Sequence, residues 1–145
     1  QWVVDTWAEI AVLNRQMQLL APWIGVGFPV HLPTKSDEQL WVKTIAAGTD
    51  SILVIVVNQQ YIASPEGFSG TPIDDASVHL EIPEGFKVTS AVSIEDAGPT
   101  SIKAAQDTTG VTLRLGSIDV GKLILLSRKA GNLKQLKMRW QDLER

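Results

Sequence analysis

The sequence contains no cysteine, which excludes disulfide frameworks, thiolate-held zinc and thiol nucleophiles together. Charge is also scarce, at 20% of residues, and the net of −3 is weak and of the wrong sign for a general nucleic-acid binder. No apolar run approaches the roughly 18 residues of a membrane-spanning helix, so no membrane partner is expected. Aromatic residues make up only 6%, yet five of the nine are Trp. What remains is a chain of 145 residues, 44% hydrophobic, about what one core-burying domain needs. None of this points to a reaction.

The opening residues, Gln1-Trp2-Val3-Val4-Asp5-Thr6-Trp7, show no initiator Met, basic n-region or small-residue cleavage site, so no signal peptide is read. They read as the inside of a helix already under way. Val3, Trp7, Ile10, Leu13, Met17, Leu20 and Ile24 recur every three or four residues, the stripe of an amphipathic helix. Pro22 and Gly25 place its end between Leu20 and Trp23. On that stripe Trp7 is expected to be buried, with Trp7→Ala costing about 3–5 kcal/mol. The tail repeats the pattern with Leu133, Leu136, Trp140 and Leu143, with Asn132 as N-cap and Gln135 completing a capping box. Both ends run at helical spacing, and the chain is expected to be a piece of something longer. Residues 128–145 carry a net charge of +4 against −7 for the rest.

Between the helices the period changes to two. Residues 40–46 form a candidate strand, followed by a turn at Ala47-Gly48-Thr49-Asp50. The run Ser-Ile-Leu-Val-Ile-Val-Val at 51–57 is apolar and β-branched throughout, the mark of a strand buried on both faces. Val78, Leu80 and Ile82 alternate with polar neighbours, and Phe86, Val88, Ser90, Val92 and Ile94 continue the alternation after a turn at 83–85. Shorter runs follow at 101–104, 111–115 and 120–127. About seven strands, with turn signals every ten residues or so, predict an antiparallel β-sandwich, immunoglobulin-like or related, flanked by an N-terminal and a C-terminal amphipathic helix. The division is 1–24 as helical lead-in, 25–128 as sandwich and 129–145 as terminal helix. Residues 59–75 are expected to be a long irregular connection.

Few residues suggest chemistry. Asp74-Asp75 and Glu95-Asp96 are adjacent pairs, and neighbours on an extended chain point opposite ways, so solvated turns are expected rather than an acid/base pair. His31 and His79 lack ligand-spaced partners, so no metal is predicted, and no pattern calls for a cofactor. Trp41, Tyr61 and Phe68 are the candidate ligand-binding residues, because flat aromatic faces stack on sugars. Trp2, Trp7, Trp23 and Trp140 fall on helices, where Trp ordinarily fills a core or an interface. Lys134, Lys137 and Arg139 flank the apolar stripe of the tail, and a structural helix is favoured over a nucleic-acid or membrane helix.

The order of phrases carries a resemblance. A helix containing Leu13-Asn14-Arg15-Gln16-Met17-Gln18-Leu19-Leu20-Ala21-Pro22 precedes a Val54-Ile55-Val56-Val57-Asn58 strand, an Ile82-Pro83-Glu84-Gly85 turn and a closing Leu123-Ile124-Leu125-Leu126 strand. This resembles the accessory β-sandwich that follows the (β/α)8 barrel in multidomain glycoside hydrolases and related proteins. The resemblance implies a non-catalytic domain whose partner is a neighbouring domain, with catalytic carboxylates lying outside this chain. It also implies that Asn58 and the 83–85 turn serve the framework, and that the parent is extracellular or periplasmic. Two alternatives stand beside it: a carbohydrate-binding module using Trp41 and Tyr61 on polysaccharide, and an assembly domain using the basic tail.

Overall fold

The first apolar stripe folds as α1, Trp2–Ile24, in the computed structural model, which describes the backbone of residues 2–145 and the side chains of residues 6–145 other than Phe68. Trp2 and Val3, assigned to the helix, lie outside the described side chains. The helix continues through Pro22, one residue past its expected end. Pro22 has no N–H to give the carbonyl of Gln18. Arg139 Nη2 donates to that oxygen instead at 3.1 Å, so a side chain from the far end of the sequence repairs the interrupted turn.

The period-two region forms twelve strands rather than about seven. They are β1 (Gly27–Val30), β2 (Thr34–Ser36), β3 (Leu40–Ala47), β4 (Ser51–Asn58), β5 (Tyr61–Ser64) and β6 (Gly67–Gly70). After these come β7 (Ile73–Leu80), β8 (Ser90–Glu95), β9 (Gly98–Ser101), β10 (Lys103–Asp107), β11 (Gly110–Ile118) and β12 (Gly121–Ser127). The excess is made of three- and four-residue strands too short for alternation to show. Where an irregular connection was expected at 59–75, β5 and β6 pair as a hairpin around Pro65-Glu66. The run at 101–104 is two strands, because the chain changes sheets at Ile102. One expected strand is shorter: Phe86 to Val88 lie outside β8. Gln106 explains this, since its side-chain amide donates to Phe86 O at 2.8 Å and accepts from Val88 N at 2.9 Å, holding that backbone in place of a neighbouring strand.

All pairings are antiparallel, in a six-stranded sheet β1-β3-β4-β12-β8-β9 and a four-stranded sheet β10-β11-β7-β2. Ile52, Val54 and Val56 of β4, with Ile124 and Leu126 of β12, meet Val78, Leu80, Val111 and Leu113 of the smaller sheet. Leu53 and Leu125 point the other way and pack with Val92, Leu19, Leu20, Leu136 and Trp140. The larger sheet is therefore covered by strands on one face and helices on the other. That is why β4 reads as an unbroken apolar run.

The second helix, α2 (Asn132–Glu144), lies along β8 and β9. Asn132 is its first helical residue and not its cap; Gly131 holds that position at φ 89° with no side-chain cap bond, so the expected capping box is absent. The helix is fixed by packing instead, through fully buried Leu136 and nearly buried Trp140. Its basic residues Lys134, Lys137 and Arg139 are exposed.

Candidate functional site

The acidic pairs do not converge. Glu95 turns inward, accepting from Ser93 Oγ at 2.6 Å and Lys122 Nζ at 2.9 Å, while Asp96 sits in the following turn and accepts from Gln16 of α1 at 3.3 Å. Burial alone would raise the Glu95 carboxyl, but the bonds from Ser93 and Lys122 and the Lys122 charge outweigh it and hold the group below its ordinary value. A carboxyl lowered in the folded state stabilises the fold above its unfolded pKa and loses that contribution as pH falls through the folded one. Glu95→Gln is therefore expected to flatten the acid limb of stability against pH, read from urea midpoints. An unchanged limb would show that Glu95 carries none of it. Asp74 and Asp75 are exposed where β7 leaves regular pairing with β11.

His79 lies on the outer face of the four-stranded sheet, as its alternation predicted. Its Nδ1 is 2.9 Å from Thr112 Oγ1 and its Nε2 is 3.4 Å from Thr109 Oγ1, so both ring nitrogens face hydroxyls. Thr109 belongs to the β10–β11 turn, which Asp107 ties by accepting from the Thr109 N–H and hydroxyl and from the Gly110 N–H. His31 lines an open cleft of about 620 Å³ between residues 29–34 and 42–44. Among the described residues no three His, Cys, Asp or Glu side chains gather as a metal site, and no helix is long and apolar enough to cross a membrane.

Trp41 and Tyr61 come to one end of the large sheet. Trp41 pairs with Val57, Leu40 with Asn58, and Gln59 N–H then donates to Gln39 O at 2.8 Å just before Tyr61 opens the hairpin. Trp41 is 45% exposed and Tyr61 63%. Phe68, the third candidate, lies outside the described side chains. Asn58, opposite Leu40 on the inner face of the sheet, is buried and fully engaged. Its Nδ2 donates to the carbonyls of Thr71 (2.9 Å), Asp119 (2.8 Å) and Ile118 (3.3 Å), and its Oδ1 accepts from Gln60 N at 2.9 Å. Asn58 is thus a framework residue that joins the hairpin base to the β11–β12 turn. The 83–85 turn is also framework, closed by Phe86 N–H to Pro83 O.

Part of α1 carries uncovered apolar side chains. Leu19 and Leu20 are fully buried, but Trp7, Ile10, Leu13 and Met17 are 67%, 40%, 54% and 45% exposed. The expected burial of Trp7, and with it the large cost of Trp7→Ala in this chain, is overturned. Two causes act. Residues 6–11 are exposed on every side, beyond what the body covers, whereas Leu20 and Ile24 of the same stripe are buried and half-buried. Further along the helix rotation decides. At about 100° per residue, the mean direction of Ile10, Leu13 and Met17 lies roughly 110° from that of Val12, Gln16, Leu19, Leu20 and Trp23, the positions that face the body. On the opposite flank Arg15 stacks over Trp140 at 5.2 Å and pairs with Glu144 at 3.5 Å. Leu13 and Met17 therefore look away from α2. Sequence periodicity located the stripe but holds no information about which side the sheet would take, and the Arg15–Trp140 fastening carried no local signal.

These features define a mainly β domain, two stacked antiparallel sheets with a helical layer, that exposes apolar side chains along one helix. No protein-family model matches the chain, and no curated protein matches its sequence. Solved structures do share its fold. It is similar to part of alpha-L-fucosidase isoenzyme 2 from Paenibacillus thiaminolyticus (TM-score 0.51, 12% identity, 68% of this chain and 15% of that one). It is also similar to part of a cycloisomaltooligosaccharide glucanotransferase from Paenibacillus sp., solved with cycloisomaltoheptaose (TM-score 0.57, 10% identity, 79% of this chain and 20% of that one). The chain thus spans a small part of the length of either.

Proposed function

We propose that this chain is a non-catalytic accessory β-sandwich of a larger glycoside-hydrolase-like protein, and that it docks on a neighbouring domain and stabilises it. The observation that carries this reading is the uncovered set Trp7, Ile10, Leu13 and Met17, four large apolar side chains on one helix that the sandwich does not bury. Similarity to parts of carbohydrate-active chains supports the same reading. The test is removal of these 145 residues from the full-length parent. The melting temperature of the neighbouring domain is expected to fall by several degrees; an unchanged value would end the reading.

A second reading rests on Trp41 and Tyr61, whose exposed rings at one end of the sheet suit stacking against a neutral polysaccharide. Retention in affinity electrophoresis, lost in Trp41→Ala and Tyr61→Ala, would support it. Migration unaffected by any polysaccharide would end it.

A further inference from the structure

The helical layer thins toward one end of the large sheet: Ile55 and Leu123 still pack against the helical cluster, and Trp41 and Lys43 are exposed. Exposure grows steadily along three strands toward one end. On β4 the outer face passes from buried Leu53 to half-buried Ile55 and Val57, on β12 from buried Leu125 to half-buried Leu123 and exposed Gly121, and on β3 from buried Ala47 to exposed Lys43 and Trp41. The ladder puts Trp41, Val57 and Gly121 in one row. Gln16 bonds Asp96, in the turn at this same end of the sheet, so Leu13 and Met17 stand level with that row. Because α2 overlies β8 and β9, and Leu13 and Met17 face away from α2, these two side chains form a wall above this floor. Three strands are about 10 Å across, close to the diameter of one helix.

Resting on the accessory-domain reading, we infer that this step seats one amphipathic helix of the neighbouring domain in the same chain, laid beside α1 as the third member of the helical layer. Area decides against a second copy. A fully exposed large side chain presents on the order of 200 Å², so Leu13, Met17 and Trp41 with Lys43 and the half-buried floor residues offer roughly 500 Å² and a two-fold pair of steps roughly 1,000 Å², below the about 1,200 Å² of a stable dimer. An interface of about 600–1,500 Å² is ordinary between domains joined in one chain, where the tether supplies the local concentration. Exposed Lys43 in the floor selects a helix with an acidic residue on its flank.

The absence of cysteine makes single-thiol reporters clean. Lys43→Cys and Met17→Cys line the step, and Lys35→Cys on β2 lies on the other sheet as a control. Maleimide labelling, followed by mass spectrometry, is compared between the 145-residue chain and the full-length parent. Labelling at 43 and 17 is expected to slow at least tenfold in the parent, with 35 unchanged. If 17 slows and 43 does not, the helix seat is wrong although the docking reading stands. If neither slows while deletion of the domain still destabilises its neighbour, docking uses another face. Protection at both sites in the isolated chain, with a dimer in sedimentation, would assign the step to a second copy. Slowing by added oligosaccharide alone would assign it to a glycan. Each of these last two results overturns the inference.

Discussion

Trp140→Ala is expected to lower the unfolding free energy by about 3–5 kcal/mol, the range for truncating a large buried aromatic. Trp140 is only 4% exposed, and its ring joins three elements. One face carries the Arg15 guanidinium of α1, the indole N–H donates to Glu144 at 3.0 Å, and the ring edge lies against Gly98 at the start of β9. A side chain at Gly98 would meet the indole at 3.1 Å, and its φ of 120° already favours glycine, so the sheet is shaped to receive this ring. Truncation leaves a void between the sheet and both helices and removes the indole partner of Arg15 and Glu144, which keep only each other. Trp7→Ala is the matched control: the same change on an exposed side chain is expected to move stability by about 0.5 kcal/mol or less. Urea unfolding followed by circular dichroism measures both. Equal losses would mean that α1 is seated with its stripe inward.

That contrast marks how far the sequence could be read. The two-sided burial of Ser51–Asn58 was legible because a central strand covered on both faces has no polar alternation to show. The sandwich, the β3–β4 turn and both helices were legible for similar local reasons. Seven strands in place of twelve reflects a limit of pattern: Gly27–Val30 and Thr34–Ser36 pair through backbone, and their side chains are mostly exposed, so composition carries no period. Phe86 to Val88 had the alternation of a strand but found Gln106, twenty residues away in sequence, as its hydrogen-bonding partner. Pro22 marked a helix end that Arg139 postponed. In each case the deciding contact is long-range. The candidate site divides in the same way. Trp41 and Tyr61 are both exposed and share an end of the sheet, which sequence could suggest only as an aromatic pair. Which part of the α1 stripe is covered depends on how far the body reaches along the helix, and no spacing within α1 encodes it.

Asn58→Ala is expected to cost about 3 kcal/mol, more than its size suggests, because it leaves three carbonyls and one N–H without their partner at a buried position. The side chain does what a short strand would do: it closes the β11–β12 turn through Ile118 and Asp119 and the hairpin base through Thr71 and Gln60. Its loss should loosen both, and hydrogen exchange at Gln60 and Thr71 should rise with it. Asn58→Asp separates this account from one of simple packing, since it keeps volume and replaces the donor. A carboxylate there would point an acceptor at three acceptors, whereas the neutral acid still donates to one of them. The folded state then favours the proton, which raises the group above its unfolded value. The stability of this variant is accordingly greatest below the ordinary carboxylate range and lost as pH rises through the raised value. Its deficit against the parent sequence should be small near about pH 3.5 and large near about pH 7. A deficit independent of pH, or an alanine variant within about 1 kcal/mol of the parent sequence, would mean that water replaces the amide at this site.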